Sequence, residues 1–156
     1  MAFGTGSHPT TRLCLEWLER NVAEGCSVLD YGCGSGILAI AAARLGAGRV
    51  AGVDIDPQAV DAARANAERN RVTAVFAEST LPVAAEYDLV VANILSNPLR
   101  VLAPAICAHV RSGGRLALSG ILREQADEIR AIYAPWVPLE VADVREDWVC
   151  LAGTKP

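Results

Sequence analysis

Apolar residues fall into two patterns along this chain. Short solid runs such as Ser27-Val28-Leu29, Val50-Ala51-Gly52-Val53 and Leu89-Val90-Val91-Ala92 alternate with longer stretches in which they recur every three or four positions. A solid run bounded by turn residues suits a strand buried on both faces, and the longer period suits a helix with one wet side. The pattern predicts a helix over 11–20, with apolar Leu13, Leu15, Trp17 and Leu18, capped by Thr10 or by a turn at Pro9. Strands are predicted over 27–31, 49–54, 73–77, 87–93 and 115–119. Helices follow over 36–45, 57–70, 98–110 and 123–133. Asp56-Pro57 reads as an N-cap followed by proline at the first helical position. Ser112-Gly113-Gly114 reads as a turn. Two last strands, 137–144 and 147–152, are separated by a link too short for a parallel crossover, so they must form an antiparallel hairpin. The expected fold is therefore α/β: a doubly wound, mostly parallel sheet of seven strands with a terminal antiparallel hairpin.

The chemistry gathers where the first strand ends. Asp30-Tyr31-Gly32-Cys33-Gly34-Ser35-Gly36 leads directly into a helical run, and Asp54 closes the next strand. A strand, a glycine-rich turn and a helix make a nucleotide cradle, and an acid ending the second strand is placed to accept from a ribose diol. Gly32, Gly34 and Gly36 are spaced G-x-G-x-G, without the third glycine that a dinucleotide fingerprint carries one position later. Asp30, just before the loop, would repel a pyrophosphate and attract a cation. S-adenosylmethionine carries a sulfonium, an ammonium, a ribose and an adenine. It is the favoured ligand, with a nicotinamide cofactor second. Asn93 ends the fourth strand, so these groups converge at carboxyl ends of parallel strands, where open α/β sheets bind ligands.

Composition narrows the picture slightly. The 156 residues suit one domain, and 52% hydrophobic content supplies a sheet covered on both faces. There is neither a membrane-spanning apolar run nor the pattern of a secretion signal, so the expected location is the cytoplasm. Cys14, Cys26, Cys33, Cys107 and Cys150 form no C-x-x-C pair and read as reduced thiols; no metal site is expected. A net charge of −4 offers no basic footprint for direct nucleic-acid binding.

The loop resembles that of class I S-adenosylmethionine-dependent methyltransferases. Three further stretches are similar to the bacterial family that methylates large-subunit ribosomal protein eleven. These are Ala2-Phe3-Gly4-Thr5-Gly6-Ser7-His8-Pro9-Thr10-Thr11, Val53-Asp54-Ile55-Asp56-Pro57-Gln58-Ala59-Val60, and Val91-Ala92-Asn93-Ile94-Leu95 with Pro98-Leu99. Leu118-Ser119-Gly120-Ile121-Leu122 fits as well, so the likeness runs over essentially the whole chain. It implies a Rossmann-like catalytic domain over 1–156, methyl transfer to lysine and other amino groups of that ribosomal protein, and donor contacts from Thr11, Gly32, Asp54 and Asn93. It also implies an N-terminal substrate-recognition domain that this chain is expected to lack.

Under this reading Asp30, Gly34 and Gly36 join the donor site, and Asn93 orients the incoming amine through its side chain or backbone together with the Ile94 carbonyl. The alternative for Asp30 is a strand-end acid that caps the helix that follows. His8 is a candidate base that sits more naturally as a structural residue beside Pro9, and His109 reads as a partner of a helix carboxyl end. The Asn66/Asn70 pair reads as a solvated helix face. Alternatives are methyl transfer to another protein or to RNA or DNA, although Asn93-Ile94-Leu95-Ser96 has no aromatic to stack on a flipped base. A donor-binding fragment without turnover is a further alternative.

Overall fold

The structure is a computed structural model that describes residues 8–79 and 85–156, so the opening stretch at 2–7 lies outside the described residues. Helix α1 (Pro9–Asn21) precedes β1 (Ser27–Tyr31), α2 (Ile37–Arg44), β2 (Arg49–Asp54), α3 (Pro57–Arg69) and β3 (Val75–Glu78). Then come β4 (Tyr87–Asn93), α4 (Ser96–Ala108), β5 (Val110–Leu122), a 3-10 turn (Arg123–Gln125), α5 (Ala126–Tyr133), β6 (Glu140–Arg145) and β7 (Trp148–Thr154). The strands form one sheet in the order β3-β2-β1-β4-β5-β7-β6. The first five are parallel, and β7 runs antiparallel to both β5 and β6. Strand order reverses between β1 and β4, which opens a crevice at their carboxyl ends.

The two-residue side-chain period of each strand sorts the core into two layers. Val28, Leu89, Val91, Ala117 and Cys150 pack against α1, α2 and α3. Leu29, Val90, Ala92, Leu118 and Leu151 pack against α4 and α5. The sheet is thus covered on both faces, as the solid apolar runs require. No helix among the described residues is long and apolar enough to cross a membrane.

Several predicted boundaries move. The N-cap of α1 is His8, whose Nδ1 accepts from the Thr10 N–H at 3.2 Å, in place of the predicted Thr10 or Pro9 turn. Thr10 is the second helical residue, an ordinary donor to an N-cap side chain, and Pro9 fills the first helical position, where no N–H is needed. The predicted turn at 112–114 belongs to β5, which begins at Val110 because that residue pairs with Tyr87 and because Gly113 donates to the Lys155 carbonyl at 2.7 Å. Helix α4 starts at Ser96, ahead of the predicted 98; Pro98 falls in the first turn, where a missing N–H costs no helical bond. The segment predicted as a helix over 123–133 opens as a 3-10 turn, with the Gln125 side chain accepting from the Leu122 N–H at 3.0 Å. The hairpin strands begin later than predicted, at Glu140 and Trp148; ahead of β6 the Val137 N–H donates to the Tyr133 carbonyl at 2.9 Å, closing α5 instead of joining the sheet. β3 begins at Val75, two residues after the predicted start.

Candidate functional site

The glycine loop leaves β1 and is pinned to β2 by the Gly32 and Cys33 N–H groups, which both donate to the Val53 carbonyl at 2.8 and 2.9 Å. Gly32, Gly34 and Gly36 adopt φ of 79°, 52° and 85°, the left-handed region. Their surroundings differ. A Cβ on Gly34 would meet nothing among the described residues within 4 Å, so the backbone there lies open to a ligand. A Cβ on Gly36 would press on Ala63 at 3.0 Å, so that glycine serves the close approach of α2 to α3. Asn66 of α3 donates through Nδ2 to the Ser35 carbonyl at 2.9 Å. This corrects the reading of Asn66 as a solvated helix face: it steadies the loop, while Asn70 is exposed.

Asp54 ends β2 under the same loop. One carboxylate oxygen accepts from the Gly34 N–H at 2.8 Å and the other from the Asp56 N–H at 3.0 Å. An ionised carboxylate can accept about four hydrogen bonds, so each oxygen keeps capacity for a ribose hydroxyl. Beside it Ile55 is 74% exposed, an apolar side chain left in water next to the strand-ending carboxylate. The sequence reading did not single it out; its signal is an isoleucine directly after the strand-ending carboxylate.

Asp30 is 1% exposed and accepts from the Ala39 N–H at 3.1 Å, the third residue of α2. It therefore caps that helix. Burial pushes its acid up to about 7, against the Ala39 bond that holds it down, and the charge of Asp54 adds a smaller upward push. Burial also raises the Cys33 thiol, with Asp30 and Asp54 adding to it, which keeps that thiol protonated and poor as a nucleophile.

Asn93 stands at the exit of β4. Its Nδ2 donates to the Thr11 hydroxyl at 3.3 Å, and its buried Oδ1 has no hydrogen-bond partner among the described residues. Leaving a buried acceptor unpaired costs about 1–3 kcal/mol, so such an atom lining a concavity marks the place where a ligand donates. Asp30, Gly32, Cys33, Gly34, Ile37, Leu38 and Asn93 line one concavity together. Thr11 supports Asn93 from behind, and Asp54 reaches the loop through Gly34. Open backbone at Gly34, accepting carboxylates and an unpaired amide oxygen suit a ligand with a diol and a cationic amine. His8 is committed to its cap: Nδ1 also lies 2.8 Å from the Thr10 hydroxyl, and its ring sits 5.8 Å from that of Trp148. His109 caps the carboxyl end of α4 and meets the Ala85 carbonyl at 2.9 Å. Among the described residues no cluster of His, Cys, Asp and Glu is arranged to hold a metal ion.

A family model described as ribosomal protein L11 methyltransferase (PrmA) matches residues 1–156. The chain is 87% identical to the ribosomal protein L11 methyltransferase of Dechloromonas aromatica (strain RCB), covering 100% of this chain and 53% of that protein. It is 65% identical to the protein of the same name from Cupriavidus metallidurans, covering 100% of this chain and 51% of that one. The chain thus spans about half the length of the curated relatives it matches. Among solved structures, a ribosomal protein L11 methylase from Lactobacillus delbrueckii subsp. bulgaricus superposes with a TM-score of 0.89 at 34% identity, over 96% of this chain and 80% of that one. A T. thermophilus 16S rRNA methyltransferase in complex with AdoMet and guanosine superposes at 0.81 with 24% identity, over 99% of this chain and 45% of that one, a likeness of fold alone.

Proposed function

Because this chain belongs to the ribosomal protein L11 methyltransferase family, we propose that it binds S-adenosylmethionine and carries methyl transfer to amino groups of that ribosomal protein, lysine side chains foremost. The observation that carries the reading is the buried, unpartnered Oδ1 of Asn93 in the same concavity as Asp30 and the open Gly34 backbone. When bound, S-adenosylmethionine supplies a methyl group already activated by a sulfonium. Asp54 would accept from the ribose hydroxyls, and the exposed Ile55 would offer an apolar surface to the adenine. Asp30 attracts the donor's ammonium from beneath the loop. Thr11 holds the amide of Asn93 so that its oxygen faces the site.

The acceptor amine must arrive neutral, and with a reference pKa of about 10.4 only ~0.04% of free lysine is neutral at pH 7. A water-poor pocket beside a cationic donor disfavours ammonium on both counts, so no dedicated base is needed. Asn93 and the Ile94 carbonyl accept from the amine and aim its lone pair in line with the methyl group, which is the alignment the reaction needs most. A ribosomal protein substrate puts this work in the cytoplasm.

Calorimetric titration with S-adenosylhomocysteine tests the donor site, with NADH as control. Binding that Asp54→Ala weakens at least tenfold, with no NADH heat, is the expected result. Absence of binding, or binding indifferent to Asp54→Ala, overturns the reading. Transfer of a labelled methyl group to ribosomal protein L11 then tests the acceptor; binding without transfer would leave the chain a donor-binding unit.

A further inference from the structure

Strand β5 carries a bulge beside the exit of β4. Leu118 pairs with Leu151 and Ile121 with Val149, so Ser119 and Gly120 together oppose the single residue Cys150 of β7. Gly120 adopts φ +86°, which is the arrangement of a bulge built on a left-handed glycine. On the other side β5 runs parallel to β4 with Ser119 level with Asn93, which brings Gly120 against Ile94. The approach is close: a Cβ on Gly120 would lie 2.3 Å from the Ile94 carbonyl oxygen and 2.9 Å from its carbon. Both are backbone atoms of the segment leaving β4, so no side-chain rotation relieves the contact. The bulge is tied down as well. The Ser119 hydroxyl, fully buried, donates to the Thr10 carbonyl at 3.0 Å, and the neighbouring Thr11 hydroxyl receives Asn93 Nδ2. A closed circuit of contacts thus runs from α1 through the bulge to the β4 exit and back to α1.

We propose that Gly120 is a positioning residue for the methyl acceptor: its left-handed bulge sets the Ile94 carbonyl, and through it the amine that this carbonyl receives. The proposal rests on the reading of the site given above. Gly120 touches neither donor nor amine; it acts through Ile94. Gly113 provides a control on the same strand, because its φ is also left-handed, at +80°, yet an added Cβ there would meet only the end of the Arg111 side chain, at 3.0 Å. Alanine at either position carries the same kind of backbone penalty, and only Gly120→Ala displaces the Ile94 carbonyl. Ser119→Ala, which cuts the tether to Thr10 without adding bulk, is a milder second variant.

The experiment compares wild type, Gly120→Ala, Gly113→Ala and Ser119→Ala by three readouts: S-adenosylhomocysteine affinity, methyl transfer to ribosomal protein L11, and the triple-resonance peak linking the Leu95 amide to the Ile94 carbonyl carbon. The expected result for Gly120→Ala is a displaced Ile94 carbonyl signal and a kcat at least tenfold lower, with donor affinity changed less than threefold. Ser119→Ala should move the same signal by less, and Gly113→Ala should leave it in place. An Ile94 signal that moves equally in Gly113→Ala, or stays put in both Gly120→Ala and Ser119→Ala, overturns the proposal. So does a loss of donor affinity as large as the loss of kcat. Failure of wild type to bind S-adenosylhomocysteine would instead strike the reading of the donor site, and the carbonyl signal would still decide whether Gly120 positions Ile94.

Discussion

At Asp30 a carboxylate is held out of water and accepts from the Ala39 N–H. Because burial raises its acid to about 7, the folded protein retains a proton there that the unfolded chain loses near 4. The stabilisation this gives is fully present below about pH 4 and is lost as pH rises through 7. The melting temperature should therefore fall between about pH 4 and 7, and Asp30→Asn should flatten that slope. Donor binding should run the other way. An incoming ammonium favours the ionised acid, so S-adenosylhomocysteine affinity should rise through pH 7 with release of a proton, read as heats that depend on the buffer's ionisation enthalpy. An affinity flat from pH 6 to 8 in wild type, or equally sloped in Asp30→Asn, would count against contact between this carboxylate and the donor.

Among the elements, α3 shows how a local signal serves the site at a distance. Asp56 caps it by accepting from the Gln58 N–H at 2.9 Å, and Pro57 starts the helix at a position that needs no donor. The same helix then carries Asn66 to the Ser35 carbonyl and Ala63 to the face of Gly36. Asp56→Ala removes the side-chain cap and keeps the backbone N–H that Asp54 receives. It should lower stability by about 1 kcal/mol, seen as an earlier urea midpoint with an unchanged slope. Asp56→Ser should restore most of the loss. Proline and aspartate announce this cap in sequence because their effect is confined to one turn. The cap of α1 was harder to see, since an imidazole replaces the usual hydroxyl or carboxylate.

Across the whole molecule the sheet separates two jobs. Asp30, Asn93 and Ser119 reach toward the α1–α2 side, where they meet Ala39, Thr11 and Thr10. The α4–α5 side is an apolar core, in which the buried Tyr133 hydroxyl donates to the Leu99 carbonyl at 2.8 Å and joins α5 to α4. Tyr133→Phe should cost about 1 kcal/mol of stability, read in thermal denaturation, and leave S-adenosylhomocysteine affinity unchanged. A weakened affinity would mean that the two faces of the sheet are coupled.

Fold class, a mostly parallel sheet of seven strands and the antiparallel closing hairpin were legible from apolar runs and link lengths, because strand burial and crossover length are written locally. The glycine loop and the strand-ending Asp54 were legible for the same reason: each needs only its own turn to place it. Tertiary structure alone decided what these residues meet. The unpaired Asn93 oxygen, the Asn66 anchor 31 residues from Ser35 and the Gly120 bulge under Ile94 all depend on which strands and helices become neighbours. The 112–114 segment was read as a turn from its glycines, yet it lies in β5, held through Gly113 by the distant Lys155 carbonyl. Local sequence sets which backbone shapes are inexpensive, and long-range pairing selects among them.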